Sequence, residues 1–238
     1  MNKKMNKLFA SVLTVLLFTL AGCEKDDNFV EPKEFTFNFM NNAEGWLGDF
    51  ADYPNDPGVE DFYELEFSHA TLPSPLNTSE GALRQSGNNH SDDLFMFVKK
   101  KITGLKPNTN YKIELEIEFA TNAASGSFGV GGSPAESVYI KAGASTNEPM
   151  KVLDNSDNNY RMNIDKGNQS QDGTNMKLIG NFANGTDLFV YKLKSLSTTM
   201  PINVISNSNG ELWVIIGTDS GFEATTTIYY NRITVNVK

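Results

Sequence analysis

Three polar stretches of the 238-residue sequence hold the side chains that could do chemistry. Residues 86–93 place His90, Asp92 and Asp93 beside Asn88 and Asn89. An imidazole next to two carboxylates is a general acid/base set in which one pKa can be raised by its neighbour. Residues 163–170 add Asp165 and Lys166, and residues 217–223 add Asp219 and Glu223. If the three stretches converge, their amides and carboxylates can hydrogen-bond a polyhydroxylated ligand. If they do not, each is a turn, because Asn, Ser and Asp readily bond their own backbone. For residues 86–93 taken alone the turn reading outweighs catalysis.

Aromatic rings are the second signal, since a flat ring offers a pyranose an apolar face while its neighbours meet the hydroxyls. Trp46 and Tyr53 lie in loop-like sequence and are candidates. For Trp46, burial in the core is an equal alternative, because tryptophan is largely buried in most folds. Trp213 alternates with apolar neighbours and reads as core.

Metal chemistry is bounded by the ligands present. The sequence contains one cysteine, Cys23, and two histidines, His69 and His90. That excludes a thiolate zinc site and disfavours a multi-histidine one. No cofactor is expected; calcium is the metal to test, because oxygen ligands are plentiful. The spacing of Asp154, Ser156, Asn158 and Asp165 approaches an EF-hand loop, but Asn159 replaces the turn glycine and Asp165 the bidentate glutamate, so a solvated loop is expected. Asp49, Asp52 and Asp56 form a weaker metal candidate. Nucleophilic catalysis finds no Gly-x-Ser-x-Gly elbow. The glycine-rich run at 129–134 lacks the lysine of a phosphate loop.

The elements that must position these residues read as strands. Residues 94–98 are apolar at every position, the pattern of a strand buried on both faces. Residues 111–119 alternate, with Tyr111, Ile113, Leu115, Ile117 and Phe119 on one side and Lys112, Glu114, Glu116 and Glu118 on the other, which puts one face in a core and one in water. Further strands are expected at 34–39, 62–72, 138–142, 160–164, 176–180, 188–193, 202–205, 212–216 and 226–237, with 82–85 leading into the first polar stretch. Loops are expected at 50–58, 73–81, 122–134 and 147–159. No long segment has helical period. Many short strands with Gly, Pro and Asn turns predict an all-β sandwich. About 200 residues exceed one immunoglobulin-like domain, so a jelly-roll-like sandwich of eight to ten strands with long loops is expected over residues 35–238.

The N-terminus reads differently. Lys3, Lys4 and Lys7 precede an uncharged apolar run at 8–20, too short for a membrane-spanning helix and suited to a signal peptide over residues 1–22. Loss of that segment removes three lysines and no acid, moving the net charge from −9 to −12. An acidic chain without a basic stripe is a poor partner for nucleic acid.

Several stretches resemble known families. LAGC at 20–23 resembles the lipobox of bacterial lipoproteins, which implies lipidation of Cys23 and a membrane anchor. The acidic residues Glu24, Asp26 and Asp27 resemble the export tag of Bacteroidetes surface lipoproteins, so residues 23–34 are expected to be a lipidated tether. Such a protein would be held on the outer membrane and face the cell surface, the periplasmic face being the alternative. ITGLKPNTNY at 102–111 resembles the turn entering a strand in fibronectin type III and carbohydrate-binding modules. GELWVIIG at 210–217 with TIYYNRITV at 227–235 is similar to the closing hairpin of galactose-binding-like jelly rolls, with Asn231 where those modules carry Asp. GNNHSDDLFMF at 87–97 and GTDSGFE at 217–223 resemble segments of a group of exported bacterial proteins, a likeness that implies no activity.

Together these readings predict a surface lipoprotein that binds carbohydrate or another extracellular ligand without catalysis. A glycan-active hydrolase or lyase using the same carboxylates and His90, and a structural or adhesive protein, are the alternatives.

Overall fold

A computed structural model describes residues 31–238. The segments expected to be a signal peptide and an acidic export tag, with Cys23 between them, fall within residues 1–30 and lie outside the described residues.

Fifteen strands and one four-residue helix are found among the described residues. In chain order they are β1 (Lys33–Phe37), β2 (Leu47–Ala51), β3 (Tyr53–Pro54), α1 (Val59–Phe62), β4 (Glu66–Thr71), β5 (Gly81–Asn88), β6 (Leu94–Ile102), β7 (Asn110–Thr121), β8 (Val138–Ser145), β9 (Lys151–Asp154), β10 (Asn159–Met162), β11 (Met176–Asn181), β12 (Lys192–Ser197), β13 (Ile202–Ile205), β14 (Leu212–Ser220) and β15 (Thr225–Val237). Every pairing is antiparallel. One sheet runs β12-β7-β15-β5-β4, with β1 also on β15 and β13 also on β7. The second runs β11-β8-β14-β6-β2, and β3-β10-β9 forms a small third sheet. The two larger sheets make an all-β sandwich, with more strands than the eight to ten expected.

The alternation of β7 works as its sequence implies. Tyr111, Ile113, Leu115, Ile117 and Phe119 are buried, while Glu118 on the opposite face meets Arg232 of β15 at 3.3 Å. At the entry to the strand the Tyr111 hydroxyl accepts a hydrogen bond from Lys106 N at 2.8 Å, closing the turn.

In β6 the side chains alternate between two cores. Leu94, Met96 and Val98 are buried on one face, and Phe95 and Phe97 on the other join Ala51, Met176 and Ile215 in a separate cluster capped by Met162 and Ile164. The second sheet is therefore covered on both sides, which is why residues 94–98 are apolar throughout.

Other boundaries differ from expectation. The stretch at 147–159 carries a hairpin, β9 with β10, rather than a loop. Its side chains are mostly exposed or half-buried, so no apolar period marked it. Residues 86–88 extend β5 instead of opening a loop. The strand expected at 188–193 begins at Lys192, and residues 59–62 form the single helical turn.

Candidate functional site

The site is built on the outer face of the second sheet. Antiparallel register places Asp219 of β14 beside Phe95 of β6 and Tyr139 of β8, and Gly217 beside Phe97 and Lys141. Opposed residues share a face, so Asp219 and Lys141 are diagonal neighbours on it. Gly217 is required here, because a Cβ would stand 2.5 Å from the Phe95 ring. The Phe95 ring instead lies across the glycine, and the Lys166 ammonium sits 4.9 Å from the ring centroid.

Lys166 arrives on the loop between β10 and β11. That loop is stapled by Asp165, whose carboxylate accepts from Gly167 N at 3.0 Å and from Thr174 N and Oγ1 at 2.7 and 2.8 Å. These bonds hold the Asp165 carboxyl below its ordinary pKa. Gly167 adopts φ +72°, and a Cβ there would meet Gln171 O at 2.2 Å. The tight loop delivers Lys166 Nζ to within 2.8 Å of Asp219 Oδ2 and 2.9 Å of Asp52 Oδ2. Asp52 is presented between β2 and β3 at φ +62°, a conformation that Asp tolerates better than most residues. Its Oδ1 accepts from Arg161 at 3.2 Å, and Asp93 Oδ2 lies 3.8 Å from the same guanidinium.

Asp219 is fully buried. Its Oδ2 takes Lys166, the Lys141 ammonium at 3.3 Å and Gln169 N at 2.9 Å. Its Oδ1 and the Oδ1 of Asp93 are buried without a hydrogen-bond donor, and Asp52 Oδ2 meets Lys166 only as an ion pair outside hydrogen-bond geometry. Burial pushes the Asp93 carboxyl up to about 7, with Lys166 pulling it down and Asp52 and Asp219 raising it further. For Lys166 burial acts to lower the pKa, but the charges of Asp219 and Asp52 win and raise it. For Lys141 burial prevails over Asp219 and the pKa falls.

Oxygens of Asp52, Asp93 and Asp219 lie within 4.8 Å of one another, so the cluster can hold a metal ion such as Ca²⁺. Lys166 already stands against two of the three carboxylates, and an entering ion would displace it. Above the cluster opens a cleft of about 240 Å³ whose lining includes Asp52, Asp93, Arg161, Asp165, Lys166 and Asn168.

The three polar stretches do converge. Asp93, Lys166 and Asp219 come together, and Gln169 Nε2 donates to Asp92 O at 3.0 Å across two of the loops. Asn89 is 2% exposed and its amide joins the first stretch to the third by donating to Ser220 O and Phe222 O at 2.8 and 3.1 Å. Asn88 ends β5, with its backbone N–H donating to Tyr63 O. His90 is turned outward, stacked on Phe62 with ring centroids 4.1 Å apart, so it is not beside the carboxylates. Asp92 and Glu223 are exposed; the Glu223 backbone bonds Val130 O, away from the cleft.

Both candidate aromatics are interior. Trp46 is 1% exposed against Phe37 and Phe39. Tyr53 is fully buried; its hydroxyl receives Lys151 Nζ at 2.6 Å, and burial pushes its pKa up to about 12. Neither ring offers a ligand a face. Trp213 is half-buried between the ammonium groups of Lys99 and Lys101.

Sequence reasoning missed Lys141 and Arg161 and placed Asp52 with the wrong partners, Asp49 and Asp56. A lysine inside the apolar strand at 138–142 was the one local sign of a buried counter-charge.

No protein-family model and no curated protein matches the chain. Among solved structures the chain is similar to a cleaved adhesin domain of Lys-gingipain from Porphyromonas gingivalis, at 12% identity and a TM-score of 0.39 over 87% of this chain and 98% of that one. It is similar to TmCBM61 in complex with β-1,4-galactotriose, at 7% identity and a TM-score of 0.37 over 81% of this chain and 89% of that one. A structure described for the promiscuous specificity of carbohydrate-binding modules of the β-sandwich superfamily gives 15% identity and a TM-score of 0.39, with 82% of this chain covering 58% of that one. With TM-scores below 0.5, the functional reading rests on this chain's own site.

Proposed function

We propose that this is a lipid-anchored surface protein whose sandwich, of jelly-roll type, binds a polyhydroxylated ligand, a carbohydrate, without transforming it. The observation that carries the reading is the convergence of Asp93 from the β5–β6 loop, Arg161 from β10, and Lys166 and Asn168 from the β10–β11 loop around one cleft. Charged donors and acceptors held side by side suit vicinal hydroxyls, which offer both roles at once. The Asn168 side chain has no intramolecular partner among the described residues and is exposed to an incoming ligand.

Binding is favoured over hydrolysis by the burial of the acids. Glycoside hydrolysis uses two carboxyl groups that both reach the scissile bond. Asp219 is fully buried and Asp52 nearly so; Lys166 stands against both, with Lys141 completing the charge around Asp219 and Arg161 that around Asp52. Asp93 remains as the one partly exposed member of the triad. The anchor is supported by the LAGC motif and the acidic residues after Cys23.

An immobilised-glycan screen of the wild-type protein with and without calcium is the first test. The reading expects at least one saccharide to be retained, with weaker retention by Asn168→Ala; a screen empty under both conditions contradicts it. Protease added to intact cells should cut a surface-facing protein. Protection of the intact chain would place it on the periplasmic side.

A further inference from the structure

A second feature lies outside the carboxylate cleft. Phe128 is 98% exposed and Phe189 is 68% exposed, so neither ring serves the core, where burial would be worth about 1.5–3 kcal/mol. Both rings nevertheless sit on loops that are tied to one another. Ser125 N donates to Thr186 O at 2.7 Å and Asn184 N to Ala123 O at 2.8 Å, joining the two loops. The Asn184 amide donates to Leu188 O and Val190 O at 2.8 and 2.9 Å, on either side of Phe189. Phe222 completes the wall by lying against Gly129, where a Cβ would stand 2.4 Å from its ring, and Glu223 N ties that segment to Val130 O at 2.9 Å.

These three rings border a pocket of about 330 Å³ whose lining also includes Asn122 and the consecutive residues Thr225, Thr226 and Thr227. Among the described residues no charged side chain lines it, so a charged ligand gains no counter-ion there. The Thr225 and Thr227 hydroxyls also meet Glu64 and Ser86, whereas the Asn122 side chain has no partner among the described residues, so a purely apolar occupant such as an acyl chain would strip its water and return no hydrogen bond. A ligand with a flat apolar face and a rim of uncharged hydroxyls satisfies both parts of the lining. We propose that this pocket is a second binding site, for a neutral saccharide whose pyranose face stacks on Phe128 and Phe189 while its hydroxyls meet Asn122 and the threonines. It shares no lining residue with the carboxylate cleft and does not rest on the reading of that cleft.

The test is a backbone-amide NMR titration of the protein with cellohexaose, mannohexaose, xylohexaose and maltohexaose, on wild type and on Phe128→Ala/Phe189→Ala. At least one saccharide is expected to shift residues 222–227. The double variant should bind it at least about tenfold more weakly there. Its melting temperature should be unchanged, because both side chains are exposed. No shift at 222–227 with any of the four, or undiminished affinity in the double variant, overturns the proposal. So does co-sedimentation with phosphatidylethanolamine/phosphatidylglycerol vesicles that needs the two rings while no saccharide binds. Shifts confined to 161–169 remove this site and leave the carboxylate cleft standing; shifts confined to 222–227 do the reverse.

Discussion

The Lys166 ammonium lies 2.8 Å from Asp219 Oδ2 although Asp219 is fully buried and Lys166 nearly so. Two charges with little water around them are stable only as partners. Removal of one is therefore far more costly than removal of both.

Lys166→Met is expected to lower stability by up to about 3–5 kcal/mol, because it removes the ammonium shared by Asp219 and Asp52 and leaves these buried carboxylates only Lys141 and Arg161 as counter-charges. Urea unfolding measures the loss. Lys166→Met combined with Asp219→Asn should recover much of it, as one buried charge then disappears with its partner. Equal losses for the single and double variants would show that Lys166 acts through packing alone.

Loss of Lys166 also tests the metal-holding capacity of the carboxylates. In Lys166→Ala, millimolar Ca²⁺ should raise the melting temperature by several degrees, the expected response when a ligand binds the native state alone, while the wild type responds less. A variant indifferent to Ca²⁺ would show that Asp52, Asp93 and Asp219 cannot adopt a coordinating arrangement.

Asp93 sets a pH dependence. Its folded pKa of about 7 is above the ordinary 3.8, so between those values the native state holds a proton that the unfolded chain has released. Stability from this group is present below about pH 4 and is lost as pH rises through 7. Asp93→Asn should remove that decline, making the variant more stable than wild type at pH 8 by about 1–2 kcal/mol after allowance for solvent screening of a partly exposed carboxyl. Parallel stability profiles for the two proteins between pH 5 and 8 would contradict the assignment.

Gly217 tests the floor of the site. Gly217→Ala puts a methyl 2.5 Å from the Phe95 ring and 3.0 Å from Met96 O, and overpacking of this kind costs about 1–3 kcal/mol. Because Lys166 rests over that ring, the variant should also weaken whatever binding the cleft supports. Wild-type stability in thermal unfolding would mean that Phe95 moves freely aside.

The sheets were legible where burial wrote a local pattern. β7 alternates because one face meets the core, and residues 94–98 are uniformly apolar because both faces are covered. Of the β9–β10 hairpin only β10 was legible, from the alternation at 160–164; β9 was not, because its side chains are mostly exposed and carry no apolar period. Asp93, Lys166 and Asp219 were singled out as polar loop residues, and their convergence awaited the fold. Asp52, Lys141 and Arg161 could not be linked to them from sequence, since the pairings Lys166 with Asp52 and Lys141 with Asp219 span sequence separations that no local pattern records. His90, the most suggestive single residue of its stretch, faces outward because its ring stacks on Phe62 and its Nε2 lies 3.1 Å from Phe62 O, contacts with a remote residue that no local pattern records.

The most direct measurement of the central claim is calorimetric titration of wild type and Asn168→Ala with a saccharide retained in the glycan screen. Asn168 is exposed and makes no side-chain bond among the described residues, so its loss should leave folding intact. The account predicts a measurable affinity for the wild type and about a tenfold weaker one for the variant, a loss of about 1.4 kcal/mol. Identical affinities in Asn168→Ala and in an Arg161→Ala companion would show that the ligand does not enter the cleft, and would contradict the account.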